Sequence, residues 1–402
     1  YSALLGLSEE DVRFALDEWI PKYWDIQYLG VRKMIGAYIR EAIEIAKTPE
    51  YKEQGVKIVY GILPAILTNY QAMKIAGGDD IFVSFPDMQL VTILNSFFHK
   101  VDDYLDSAEE TGMTYGCRHC ALNKTRIGAF HVIWSWGFNC DEGPKTDEYI
   151  NCLLDEDWKY VISRIPHDTH FGTIDDEDED RVIYMAEQMR DGQREIEEMT
   201  GIKVTKENML QAVKEQGRYA FKFSTLTQLV ANGNPQPLSG SALTNFGQGM
   251  TCPFNSGLEY IEEALDIMIR ECRQAKKAGT GILPKDAPKV ASYFVPFCVP
   301  WVDGIFKENG VGTTFSLTFT VTKKQLEPTK YEDPYMQAAE QWLKMAFGQN
   351  IGYESKNMIE KVEANKPVDG LLMGFFDFDR WLGAHQKMCA KIIQDATGVP
   401  TF

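Results

Sequence analysis

Short apolar runs alternating with helical stretches, first near the start of the chain and again near its end, constrain this sequence most. Val56–Ile62 is β-branched and short, and Pro64 then opens a helical segment that runs to Gly77-Gly78. Asp80–Phe85, Phe130–Trp136 and Lys159–Arg164 read as further strands. The pattern returns at Val290–Val295, Val311–Phe319 and Val368–Gly374, with helices expected at 333–348, at 354–364 and from the last strand to Thr397. Strands alternating with helices predict parallel sheets covered on both faces. In such sheets, sites gather in loops beyond the carboxyl ends of the strands.

Between the two blocks, Arg181–Thr200, Lys206–Ala231 and Gly257–Lys277 read as long amphipathic helices. They are linked by the turn-rich Asn232–Gly240 and followed by the loop Gly279–Pro284. Residues 1–54 read as helical, with Ser8 as cap and Asp11 at the capping-box position. The aromatic side chains there (Trp19, Tyr23, Trp24, Tyr28, Tyr38) are expected to pack against another domain or subunit, not to hold a cofactor. The expected fold class is α/β: two parallel-sheet, flavodoxin- or Rossmann-like units joined by a helical layer. The divisions are an N-terminal helical extension (1–54), a first α/β domain (55–172), the helical layer (173–285) and a second α/β domain (286–402). Gly398–Phe402 reads as the start of one more strand, so further residues are expected beyond it.

Several function classes are disfavoured. No G-x-G-x-x-G opens a helix after the first strand, and neither a Walker loop nor G-x-S-x-G occurs. A net charge of −17 argues against a nucleic-acid partner but leaves room for a small anion in a local basic pocket. No apolar run has the ~18 residues of a membrane span, and no secretory signal is visible. Eight cysteines spread over 402 residues suit reduced thiols, so a cytoplasmic protein is expected.

Two of those cysteines stand within four residues, in Gly116-Cys117-Arg118-His119-Cys120-Ala121-Leu122-Asn123-Lys124-Thr125-Arg126-Ile127-Gly128. Thiolates this close suit zinc or an iron–sulfur cluster. No second C-x-x-C follows, so the pair is half a metal site or one ligand with a neighbour. Cys152, Cys272 and Cys389 fall on amphipathic helices and read as core; Cys252 lies in a connector and stays unassigned. Cys140 and Cys298 read as packed thiols, and His119 is open between metal ligand, proton donor and exposed group. The acidic stretch from Phe171 to Asp180 reads as a solvated loop leading into a helix. His167 and His170 bracket Asp168 in a strand-end loop, a spacing able to serve proton transfer.

From roughly residue 56 to 402 the chain resembles the 2-hydroxyacyl-CoA dehydratase and benzoyl-CoA reductase subunits. The matches, in order, are Cys120–Gly128, Phe138–Asp141, Arg194–Thr205, Pro235–Gly240, Val295–Pro300 and Val368–Leu371. Arg194–Thr205, a helix leading to a Thr-Gly–Lys turn, is the nearest of these.

The resemblance implies an enzyme subunit with a [4Fe-4S] cluster, paired with a homologous second subunit. It implies a separate ATP-dependent iron–sulfur activator and an acyl-CoA substrate, reduced by one electron to a ketyl or ring radical. It also carries Cys120 over as a cluster ligand. The family's two other cysteine positions fall near Leu105-Asp106 and in Phe376–Trp381, where this chain has no cysteine. Cys117 is then a replacement thiolate, with Asp106 and Asp379 as oxygen ligands. Arg118 and Lys124, with Arg126, would neutralise cluster charge or receive CoA phosphates, unless they form a solvated helix face. His167 and His170 become candidate bases for the dehydration. The aromatic Phe375–Trp381 tilts the substrate toward an aryl-CoA. Two other readings remain: a cluster-less partner subunit, and a two-lobed small-molecule binding protein.

Overall fold

The computed structural model describes residues 1–61, 67–110, 131–137, 159–166, 179–249, 252–293, 299–317, 320–322, 324–345, 351–374 and 380–402. Chain order begins with α1 (Glu9–Phe14), a π-helical turn at Ala15–Trp19, α2 (Ile20–Tyr23), α3 (Leu29–Ala46) and α4 (Thr48–Glu53). The capping box forms as its sequence predicts: Asp11 N donates to Ser8 Oγ at 3.1 Å, and Ser8 N to Asp11 Oδ2 at 2.8 Å.

The first sheet holds β1 (Lys57–Gly61), β2 (Ile81–Ser84), β3 (Val132–Gly137) and β4 (Lys159–Arg164), in the order β2-β1-β3-β4. Every pairing is parallel. Helices α5 (Leu67–Gly77), α6 (Pro86–Ile93) and α7 (Asp102–Glu110) belong to the same block. Ile58, Val59 and Tyr60 are successive buried residues, as a parallel strand covered on both faces requires.

Three long helices follow: α8 (Glu179–Thr200), α9 (Lys206–Ala231) and, after α10 (Gly240–Gly249), α11 (Leu258–Ala278). The second sheet holds β5 (Lys289–Ser292), β6 (Gly312–Ser316) and β7 (Gly370–Leu372), ordered β6-β5-β7 and again parallel. Leu371 forms a parallel bridge to Thr401, so the chain end adds a fourth position beyond β7. The second sheet thereby repeats the order of the first. Its helices are α12 (Pro300–Glu308), α13 (Pro334–Met345), α14 (Ile351–Ala364) and α15 (Arg380–Thr397). The expected strand Val311–Phe319 is shorter as observed. Leu317 N donates to Ser292 O at 2.7 Å, the ladder bond of the Ser292–Ser316 pair, and the register with β5 shifts between Val290 and Ser292.

The N-terminal aromatics pack on this same chain. Trp24 meets Phe97 and Phe246 at ring-centroid distances of 4.8 and 5.4 Å, and Tyr38 meets Phe254 at 5.4 Å. The indole N–H groups of Trp19 and Trp24 both donate to Ser96 O at 3.0 Å. Burying such rings contributes about 1.5–3 kcal/mol each, enough to hold the extension against the first sheet's helices.

Helix α10 fastens three parts of the chain together at its start. Ser239 N donates to Asp25 Oδ2 at 2.8 Å, and Gly240 N to Thr313 Oγ1 at 3.1 Å. Ser241 N–H reaches the Asp303 carboxyl, which also accepts the Thr313 hydroxyl. Gly240 is required here, because a Cβ would sit 2.6 Å from the Thr313 carbonyl carbon. Lys307 pairs with Asp25 at 3.2 Å. The extension, the helical layer and β6 therefore converge on two buried carboxyls, whose placement at a helix N-terminus is favourable.

Candidate functional site

In both sheets the strand order reverses beside the first strand of the block: between β1 and β3, and between β5 and β7. Crevices at the carboxyl ends of strands at such switch points are where parallel sheets receive ligands.

At the first switch point, β1 ends in Gly61. A Cβ there would lie 2.1 Å from Phe85 Cε1 and 2.7 Å from Tyr70 Cζ, so only glycine lets these rings close over the strand end. Tyr70 donates its hydroxyl proton to Trp134 O and accepts the Trp136 indole N–H, each at 3.1 Å. Trp134 donates to Ser163 Oγ at 2.9 Å and stacks on Trp136 at 4.6 Å. The result is a rigid aromatic floor with its polar atoms already engaged. These rings offer no acid or base.

The second switch point has different chemistry. Tyr293, just past β5, donates its hydroxyl to Glu354 Oε1 of α14. Seven residues along the same helix, Lys361 Nζ donates to Leu317 O at 2.5 Å, just past β6. Ser316 Oγ donates to Tyr293 O at 2.9 Å, and the buried Ser292 Oγ has no partner among the described residues. Lys361 is 3% exposed. Burial pushes its amine down to about 7, opposed by the negative charge of Glu354. An amine in that range can hold or release a proton near neutral pH, the property required of a general acid or base.

His131 is the described histidine nearest a strand, but it sits at the amino end of β3. Its Nδ1 accepts Ile58 N–H at 3.1 Å. Burial, then the Lys52 and Lys57 charges, push its pKa down. It is a structural group.

Most residues singled out from sequence (Cys117, Arg118, His119, Cys120, Lys124, Arg126, Cys140, Cys152, His167, His170, Cys298 and Asp379) lie outside the described residues. So does Phe375–Asp379 of the aromatic stretch. Asp106 is described and stands exposed on α7. Among the described residues, no group of three His, Cys, Asp or Glu side chains could hold a metal ion. Cys252, Cys272 and Cys389 are buried thiols outside any disulfide. Burial pushes Cys272 up to about 12 and Cys389 up to about 11, which disfavours the thiolate that iron would need. The described residues therefore do not provide a cluster's donor set.

Sequence reasoning did not find Tyr293, Glu354 or Lys361 as a group. A signal was present: Glu354 and Lys361 share the face of α14 that carries buried Met358, an unusual place for two charges.

Fold and site together define a protein of two like-wound parallel α/β units, with packed aromatic rings at one switch point and the buried Tyr293, Glu354 and Lys361 at the other. The family of the 2-hydroxyglutaryl-CoA dehydratase D-component matches residues 87–402, and the chain belongs to that family. It is thus a subunit of a 2-hydroxyacyl-CoA dehydratase-type enzyme assembled from several components. No curated protein matches the chain. Among the described residues, no helix is long and apolar enough to cross a membrane.

Proposed function

We propose that this subunit takes part in removing water from a 2-hydroxyacyl-CoA thioester by one-electron chemistry. It would act with a homologous second subunit and an ATP-dependent iron–sulfur activator. The observation that carries this reading is the family match over residues 87–402, which spans β3 to the chain end and includes Tyr293, Glu354 and Lys361. In this reading Cys120 ligates a [4Fe-4S] cluster, with Cys117, Asp106 and Asp379 as further donors. Arg118 and Lys124 offset the charge of the cluster or of the CoA phosphates. His167, His170 and the buried Lys361 are the candidate proton carriers. Ordinary acid–base chemistry does not form a ketyl radical, so the low-potential electron must come from a cofactor-bearing partner.

The test combines anaerobically purified subunit, sister subunit and activator with ATP and a panel of CoA thioesters. Loss of one water from a 2-hydroxyacyl-CoA is the expected result. Reduction of an aryl-CoA ring instead would move the enzyme to the benzoyl-CoA reductase type. Turnover that is unchanged when this subunit is omitted would overturn the proposal.

A further inference from the structure

Helices α3 and α11 lie antiparallel in close contact: Gly30 faces Met268, Lys33 meets Glu263, and Arg40 meets Tyr260. Gly30 is there for packing, since a Cβ would sit 2.6 Å from Met268 N, and Glu271 accepts Leu29 N–H and Gly30 N–H at 2.8 and 2.9 Å. Above this contact the two helices leave a groove of about 350 Å³ lined by Arg32, Lys33, Gly36, Arg40, Tyr260 and Glu263, among others.

Three of those side chains are cations and one is an anion, in a chain of net charge −17. The Arg40 guanidinium lies over the Tyr260 ring, 4.3 Å from its centroid, and both groups are exposed. Arg32 lies two turns away, roughly 12 Å along the axis. Gly36 stands between them, midway along α3, and a Cβ there would meet nothing within 4 Å. Glycine in a helix interior costs stability relative to alanine. Packing explains that cost at Gly30 but not at Gly36, whose effect is to keep the groove floor open.

We propose that this groove binds a nucleoside diphosphate. The planar base lies on the Arg40–Tyr260 stack, and the pyrophosphate is held by Arg32 near the start of α3, with Lys33 beside it in its 2.9 Å ion pair with Glu263. Guanidinium planes stack on aromatic rings and pair with phosphate oxygens, while a lysine adds a point charge. Arg32, Lys33 and Arg40 lie outside residues 87–402 and Tyr260 and Glu263 within them, and a nucleotide site here goes beyond the dehydratase reading.

Isothermal titration of the whole chain with ADP, adenosine, pyrophosphate and CoA tests this. ADP is expected to bind with a Kd below about 1 mM, at least tenfold tighter than adenosine or pyrophosphate. Gly36→Phe, which fills the groove without meeting the core, and Arg32→Ala should each weaken ADP at least tenfold with Tm unchanged. CoA binding tighter than ADP identifies the nucleotide handle of CoA as the occupant; ADP binding as tightly or more tightly identifies a free nucleotide. An ADP affinity equal in wild type and Gly36→Phe, or no saturable binding, overturns the proposal.

Discussion

The buried Glu41 carboxylate holds Asn255 in place, and Asn255 in turn closes the open edge of the first sheet. Glu41 Oε1 accepts both the backbone and side-chain N–H of Asn255 at 3.0 Å, and its Oε2 accepts Ser256 N–H at 2.9 Å. The Asn255 amide bonds Val83 N–H at 3.1 Å and Val83 O at 2.6 Å, as a neighbouring strand would. An edge strand left bare is a template for unwanted pairing. Glu41→Ala leaves buried donors unsatisfied and should cost about 2–4 kcal/mol in urea unfolding. The Glu41→Ala, Asn255→Ala double variant should cost clearly less than the sum of the singles. Strict additivity would show that the two residues act separately.

Asp303 should impose a pH dependence on stability. Burial, with the Asp25 charge adding to it, raises Asp303 to about 6 from 3.8. The native state then keeps a proton that the unfolded chain releases, so this contribution falls as pH rises from 3.8 to about 6. The stability of wild type relative to Asp303→Asn should drop by up to about 3 kcal/mol across that window and stay flat above it. A difference that grows with pH would contradict the assignment.

Gly240→Ala should be among the most damaging single-methyl additions. Its Cβ would meet the Thr313 carbonyl carbon and oxygen at 2.6 and 2.7 Å, and backbone cannot rotate away as a side chain can. A loss of about 3 kcal/mol is expected from overpacking. An unchanged denaturation midpoint would mean that α10 and β6 are not in contact in solution.

Much of the fold is legible in the sequence because parallel strands, buried on both faces, leave continuous apolar runs such as Ile58–Tyr60. The long helices read equally well. Helices α10 and α12 do not stand out: α10 is short and rich in small and polar residues, and α12 has nine residues opened by Pro300-Trp301. Neither gives a periodic stripe long enough to recognise. The site is less legible. Tyr293, Glu354 and Lys361 come from two separate segments, and only strand order brings them together. The sequence-based candidates rest on local spacing and resemblance, which fold geometry does not replace.

Lys361→Met separates a working lysine from a structural one. In wild type the amine loses its charge above about 7, whereas the unfolded chain keeps it to about 10.5. Stability from this group therefore rises with pH between those values. Replacing a buried charge with an apolar side chain of similar size is often neutral or stabilising. The variant should melt no lower than wild type at pH 6, and its advantage should shrink by pH 9. If Lys361 carries a proton in the reaction, kcat falls at least tenfold with Tm retained, and the residual rate loses its inflection near pH 7. An unchanged kcat profile would make Lys361 a structural residue.

In the proposed function this dehydratase subunit carries its own cluster through Cys120. Iron and acid-labile sulfide, measured on anaerobically purified subunit beside Cys120→Ser, address it most directly. About four irons and four sulfides are expected per wild-type chain, and at most half of that in Cys120→Ser with the fold intact by circular dichroism. Wild-type protein without iron, or a full complement in Cys120→Ser, would contradict it.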